Sequence, residues 1–206
     1  MYRKIFNVMY MMRMLKDKLY DTMFNYYYNI HNKPVNRMNH SHSLIKDIYN
    51  LSYSISHIKD NIFLGNAYAS SNYYILRDHN IGLIVNVTEE IPNYYENFKD
   101  DEFTYLQLKV RDQNEEHLLE SIDELLIKID EYMSENLKKN ILIHCYMGSS
   151  RSATITCAYL MKFYNLNVQE SIDLIKSKRD LVNINTTFIN DLKQYKNMLD
   201  QSIVIL

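Results

Sequence analysis

The chain has 206 residues, 47% of them hydrophobic and 23% charged, with a formal net charge of −2. That is enough for one good-sized core plus an extension, and the near-neutral balance gives no electrostatic footprint of a nucleic-acid binder. The two cysteines, Cys145 and Cys157, exclude a disulfide framework and a cysteine-based zinc cluster, and no apolar run approaches the roughly 20 residues of a membrane span.

This cysteine usage fits a reducing, intracellular compartment, and a soluble cytoplasmic protein is expected. The 19 Tyr, absent Trp, 3 Gly and 2 Pro point to an AT-rich genome, such as that of a protist or a large DNA virus, so tyrosine abundance is not read as functional. Charge is unevenly spread. Residues 1–50 carry 8 Lys/Arg against 3 Asp/Glu, whereas residues 51–206 carry 15 against 22. A basic leading segment therefore precedes an acidic body.

In chain order, Met1–Asn7 has the basic-then-apolar look of a signal peptide. Its apolar stretch is short, is broken by Asn7 and Arg13 and lacks a small-residue cleavage site, so no leader is expected. Ile5, Val8, Met9, Met12, Leu15, Leu19 and Met23 recur at helical spacing and predict an amphipathic helix. Asn29 to Ser43, with Pro34 and His40-Ser41-His42, reads as a linker, its histidines solvated. Residues 1–50 thus form a helical extension and linker. The helix is expected to pack on the body or to swap between copies in a homodimer. Docking of its basic charge to a partner or an anionic membrane surface is the alternative.

Residues 51–206 form the body. Ile58 to Leu64 predicts strands around an Asp60-Asn61 turn, and Ser71 to His79 a short helix capped by Ser71. Ile81-Gly82 reads as a turn, Leu83 to Val87 as a buried strand, and Pro92-Asn93 as a loop. Phe103 to Val110 alternates as a strand does. Glu115 to Met133 places Leu118, Leu119, Ile122, Leu125, Leu126, Ile129 and Met133 on one helical face, with Lys138-Lys139 expected to close its carbonyl end. Asn140 to His144 predicts another strand. Helices follow at Arg151–Tyr164, Val168–Lys178 and Thr187–Leu199. Strands alternating with helices predict an α/β domain with a central, mostly parallel sheet flanked by helices. An anion site belongs beyond the carboxyl end of such a strand.

Cys145 sits at that place. Ile141-Leu142-Ile143 leads into His144-Cys145-Tyr146-Met147-Gly148-Ser149-Ser150-Arg151, then Ser152 and a long apolar stretch. A phosphate dianion needs donors in an arc, which successive backbone N–H groups and a helix N-terminus supply. Tyr146, Met147, Gly148, Ser149, Ser150 and Arg151 would form that arc. Gly148 falls where the turn calls for a backbone conformation other residues avoid. Arg151 can grip two phosphate oxygens with its planar fork. The same field favours a thiolate at Cys145, the form that attacks phosphorus. A lone cysteine is commonly a small buried hydrophobe, but His144, Cys145, Gly148, Arg151 and Ser152 together, between strand and helix, are hard to obtain by accident. Cys157 lies twelve residues further on, about 18 Å along a helix, too far to pair with Cys145, and reads as buried packing.

His144-Cys145-x-x-Gly148-x-x-Arg151-Ser152 resembles the signature of the cysteine-based protein tyrosine phosphatases. Ser150 to Ile155 with Ala158-Tyr159-Leu160-Met161 is similar to the dual-specificity branch, especially MAP-kinase phosphatase catalytic domains. Ile62 to Asn66 and Ile84 to Thr88 resemble that branch's opening strands. The similarity runs from about Ile55 to Leu199 and leaves the first 50 residues outside.

The resemblance implies a general acid on a loop one strand and one helix before the cysteine. Asp112, in Val110-Arg111-Asp112-Gln113-Asn114, lies there, 33 residues before Cys145. Asp100, Asp101 and Glu102 precede the strand and are expected to be solvated. The implied reaction has two steps: Cys145 attacks phosphorus while Asp112 protonates the leaving oxygen, then water cleaves the phosphocysteine with Asp112 as base. Ser152 would assist thiolate departure, and His144 would orient the loop. No metal and no cofactor is called for. The substrate would be a phosphoprotein carrying phosphotyrosine or phosphoserine/threonine. Where the family often has Asn-Pro-Asn, this chain has Asn183-Ile184-Asn185, and Asn185 can still cap the last helix.

Three other readings share the signature. A nonenzymatic phosphoprotein-binding module would not need Cys145, Arg151 and Asp112 all in place. An RNA 5′-triphosphatase favours a basic face and a different loop. A phosphoinositide phosphatase usually carries lysines within the loop, and Tyr146 to Ser150 has none.

Overall fold

The structure is a computed structural model and describes residues 55–96, 102–113 and 117–204. The predicted helix Ile5–Met23, the linker Asn29–Ser43, Asp100, Asp101 and the expected helix start at Glu115 lie outside these residues.

Five strands form one sheet: β1 (Ile55–Lys59), β2 (Ile62–Asn66), β3 (Ile81–Asn86), β4 (Thr104–Gln107) and β5 (Asn140–Cys145). Their order is β1-β2-β5-β3-β4. Only β1 runs antiparallel, to β2; β2–β5, β5–β3 and β3–β4 are parallel. The mostly parallel sheet read from the alternation of elements is therefore present. Cys145 ends the central strand, opposite Asn66 in register, while His144 stands opposite Asn86.

Six helices are described: α1 (Ala67–Ser70), α2 (Tyr73–Asp78), α3 (Leu119–Glu135), α4 (Arg151–Tyr164), α5 (Val168–Lys178) and α6 (Thr186–Val204). Side chains alternate across the sheet, as period-two geometry requires. Leu64, Leu83, Val85, Ile141 and Ile143 join a large core with Ile122, Leu126 and Ile129 of α3, Ile155 and Leu160 of α4, and Phe188 and Tyr195 of α6. Phe63, Ile84 and Leu142 point the other way, into a smaller core with Leu76, Ile81, Tyr95 and Phe103. Every residue from Arg151 to Met161 is buried, so α4 is the central helix and enters directly from the Cys145 loop.

Several local readings change. Gly82 is within β3, not in a turn. The turn falls one step earlier, at Asn80, whose φ is 48°. A Cβ at Gly82 would collide with the Tyr132 hydroxyl and lie 2.9 Å from Lys139 Cβ, so glycine serves close packing there. Ser71 does not cap α2; Asn72 accepts from the amides of Tyr74 and Ile75. The four-residue α1 precedes it, capped by Asn66. Lys138-Lys139 do not close α3, which ends at Glu135 with Asn136 as its C-cap. Glu102 is not simply solvated, because it accepts from Tyr73 Oη at 2.6 Å and pairs with Arg77 at 3.3 Å.

Two helix starts use distinct devices. Asn167 and Glu170 form a capping box on α5. Helix α3 has no cap of its own; buried Asp191 of α6 accepts the Leu118 N–H at 2.8 Å and the His117 ring at 2.8 Å. That contact joins residues 73 positions apart.

Candidate active site

The site stands beyond the carboxyl ends of the parallel strands, where α/β sheets place their ligands. Strand β5 delivers Cys145, β4 leads to Asp112, β3 leads to Glu90, and β2 leads into α1 beside the loop.

The loop from Tyr146 to Ser150 has an outer face that is fully partnered. The Tyr146 carbonyl accepts from Ala67 N at 3.2 Å, and that of Ser149 accepts from Asn183 N at 2.9 Å. The Met147 and Gly148 carbonyls accept from Arg179 Nη2 at 3.1 Å and Nε at 2.8 Å. The Ser150 carbonyl accepts from Thr154 N at 2.8 Å and Thr154 Oγ1 at 2.9 Å. A trans peptide unit sets its N–H opposite its C=O. Carbonyls turned outward from 146 to 150 therefore turn the amides of 147 to 151 inward, as in an anion-binding nest. Gly148 N donates to Cys145 Sγ at 3.2 Å, consistent with that sense.

Gly148 permits the turn. Its φ is +70°, and a Cβ there would strike the Gly65 carbonyl and lie 2.7 Å from Arg179 Nη2. Cys145 Sγ also accepts from Ser152 Oγ at 3.1 Å. Two donors, Gly148 N and Ser152 Oγ, thus converge on the one sulfur. Cys145 is only 1% exposed, so the sulfur sits at the bottom of the loop, while Tyr146 and Met147 are exposed at its rim.

Helix α4 begins at the loop without a side-chain cap. Ser150 occupies the N-cap position but makes no capping bond; its hydroxyl donates to Asp112 Oδ1 at 3.0 Å instead. The leading amides of α4 and the helix dipole are thus left for an anion. Arg151 is buried, and its Nη1 reaches Glu90 Oε1 at 2.7 Å and the Val110 carbonyl at 2.9 Å. Its Nε is buried without a hydrogen-bond partner. A buried guanidinium N–H with no acceptor is costly, and an anion in the loop would satisfy it.

Asp112 meets the loop from the β4 side. Besides Ser150, its Oδ1 accepts from Asn185 Nδ2 at 3.0 Å, and Oδ2 lies 3.9 Å from Arg151 Nε. Asn185 also caps α6 through Phe188 N at 2.9 Å, so one side chain ties the last helix to Asp112. His144 is buried with Nδ1 unpartnered. Burial holds its ring well below the usual imidazole value, at about 4, so it is neutral and no proton carrier at ordinary pH. Cys157 is fully buried and burial pushes its thiol up, in keeping with a packing role.

The structure brings together Cys145, Arg151, Ser152, Asp112 and the 146–150 backbone. The sequence reading did not single out Arg179, Glu90 or the Asn185–Asp112 bond. Arg179 is 3% exposed and braces two loop carbonyls from behind; nothing in a Lys-Arg-Asp stretch signals burial. Glu89-Glu90 did carry a signal, since they follow directly on a buried strand whose carboxyl end faces the site.

The family described as "Dual specificity phosphatase, catalytic domain" matches residues 62–198. The chain belongs to that family. It is 35% identical over 142 residues to human dual specificity protein phosphatase 9, covering 69% of this chain and 36% of that protein. It is 34% identical over 143 residues to the Drosophila melanogaster protein phosphatase Slingshot, covering 69% and 13%. The chain therefore spans only a minor part of these relatives. Among solved structures, human DUSP28 superposes with a TM-score of 0.64 at 25% identity, covering 71% of this chain and 95% of that one. This dual specificity phosphatase domain thus has the tyrosine-phosphatase-like α/β fold implied by its signature. Among the described residues no helix is long and apolar enough to cross a membrane.

Proposed function

We propose that residues 51–206 form a catalytic domain that hydrolyses phosphotyrosine and phosphoserine/threonine in a phosphoprotein. One observation carries this reading: the amides of the 146–150 loop turn inward, Gly148 N onto Cys145 Sγ, and Arg151, at the end of the same loop, buries an Nε that makes no hydrogen bond.

Cys145 Sγ attacks phosphorus, and the bond from phosphorus to the leaving oxygen breaks. Asp112 gives that oxygen its proton. The 147–151 amides and Arg151 hold the three equatorial oxygens, where negative charge is spread in the transition state. Water then attacks the phosphocysteine, Asp112 takes its proton, and the P–S bond breaks. Ser152 Oγ, at 3.1 Å from the sulfur, stabilises the departing thiolate. His144 positions the loop. None of these steps calls on a metal or cofactor, and cytoplasmic location is part of the same reading.

Hydrolysis of a generic aryl phosphate and a phosphopeptide panel by wild type, Cys145→Ser and Asp112→Asn tests it. Turnover that disappears in Cys145→Ser supports the enzyme. Phosphopeptide binding without turnover in wild type would instead establish a nonenzymatic reader, and release of phosphate from triphosphate-ended RNA alone would establish an RNA 5′-triphosphatase.

A further inference from the structure

Two adjacent carboxylates just after β3 reach the two loops of the site separately. Glu90 binds Arg151 Nη1 through Oε1 at 2.7 Å and Oε2 at 3.0 Å. Glu89 accepts a hydrogen bond from Arg111 Nε, and Arg111 is the immediate neighbour of Asp112. Arg151 Nη1 closes the arrangement by donating to the Val110 carbonyl, two residues before Asp112, at 2.9 Å.

The segment that bears these carboxylates is itself rigid. Asn86 Nδ2 donates to the Ile91 carbonyl at 2.7 Å and to Asn93 Oδ1 at 2.9 Å. Thr88 Oγ1 donates to Asn86 Oδ1 at 2.7 Å and accepts from Ile91 N at 3.1 Å. Gln107, the last residue of β4, donates to the Thr88 carbonyl at 3.0 Å. Asn86 and Thr88 are buried, so this network is shielded from water and strengthened by its surroundings.

We propose that Glu89 and Glu90 are positioning residues: a carboxylate clasp on a rigid β3 loop that holds the Asp112 loop against the phosphate loop before substrate arrives. The geometry gives each a separate task. Glu90, with the Val110 carbonyl, occupies the Nη1 corner of Arg151, which fixes the rotation of the planar fork and leaves Nε toward the anion site. Glu89 anchors the residue next to Asp112, whose own hydrogen bonds run to Ser150 and Asn185. Neither glutamate touches the reacting atoms. Their effect is to keep the proton donor placed, which removes an ordering cost from the step that needs it.

This inference rests on the proposed phosphatase reading, and leaving-group dependence separates the two. Hydrolysis of 2,4-dinitrophenyl phosphate, whose leaving group needs little protonation, reports Cys145 and the loop. Hydrolysis of phenyl phosphate reports the general acid as well. Glu89→Gln is expected to lower kcat/KM, which reports the first step alone, on phenyl phosphate roughly tenfold, a fraction of what a positioned acid contributes. The kcat/KM for the dinitrophenyl ester should change less than about twofold, because that ester departs with little help from an acid. The swap Glu89→Arg with Arg111→Glu should restore the phenyl phosphate rate, which a merely structural role would not. Amide hydrogen exchange of residues 108–113 gives a readout independent of turnover, and it should quicken in the Glu89→Gln, Glu90→Gln double variant. Unchanged exchange in that variant overturns the clasp. An unchanged ratio of the two rates in Glu89→Gln, with wild type active, also overturns it. A wild type inactive on both esters overturns the phosphatase reading and leaves exchange to decide the clasp.

Discussion

The loop that holds Cys145 and the loop that holds Asp112 meet at one site, yet they are fixed by different means. From Tyr146 to Ser150, each carbonyl is bound on the outside of the turn, by backbone amides, by Arg179 and by Thr154. That loop joins a central strand to a central helix, with Cys145 and Arg151 buried at its two ends. Asp112 is about one-third exposed and is held by the side chains of Ser150 and Asn185. The proposed nucleophile must sit at one point in a fixed field, and backbone geometry supplies that. The proposed acid, which must meet varied leaving groups, is held by contacts that single substitutions can alter.

The sharpest way to separate the two walls is to remove one atom from each. Cys145→Ser keeps a side chain able to accept from Gly148 N and Ser152 Oγ, so folding should persist while aryl phosphate turnover falls by roughly 10⁴-fold or more. Near-wild-type turnover would dissolve the comparison.

The buried wall should also register in stability. His144 is neutral when folded, with its value lowered from 6.5 to about 4 by burial. Between those values the unfolded chain binds a proton that the folded chain refuses. Stability therefore rises with pH through that window and is lost on acidification, by on the order of 3 kcal/mol from this group. Urea unfolding between pH 7 and pH 4 should show that slope, and His144→Asn should flatten it. An identical slope in the variant would mean that other groups govern acid unfolding.

Asp112→Asn tests the exposed wall. It keeps an acceptor oxygen for Ser150 but cannot give a proton. The kcat/KM for phenyl phosphate should fall roughly a hundredfold, with that for 2,4-dinitrophenyl phosphate much less affected. Equal losses on both esters would move Asp112 from acid to structural support. The smallest effect is expected from Arg179→Lys, which keeps the charge but not the fork that spans the Met147 and Gly148 carbonyls. The KM for aryl phosphate should rise roughly tenfold with kcat little changed. A fall in kcat alone would place Arg179 elsewhere in the mechanism.

Much of the Cys145 wall was legible in the chain. The apolar run before it, the glycine three residues on and the arginine that opens a helix are local in sequence, and local geometry makes a loop of them. The strands and helices of the body were legible for the same reason, since period-two and helical spacings follow from backbone geometry. Gly82 misled because a glycine signals a turn unless packing explains it, and the packing partners, Tyr132 and Lys139, lie about fifty residues away in the chain. The α3 cap was illegible because its acceptor, Asp191, belongs to another helix.

The candidate nucleophile, the tight loop after β5 and most of the succession of strands and helices could be read from the chain, because each follows from neighbours in sequence. Which charges meet is settled by the packing of distant elements. Glu90 on Arg151, Glu89 on Arg111, Arg179 behind the loop and Asn185 on Asp112 all join residues distant in the chain. Such pairs are set by how the sheet orders its strands and where the last helices dock, and backbone periodicity carries no record of that.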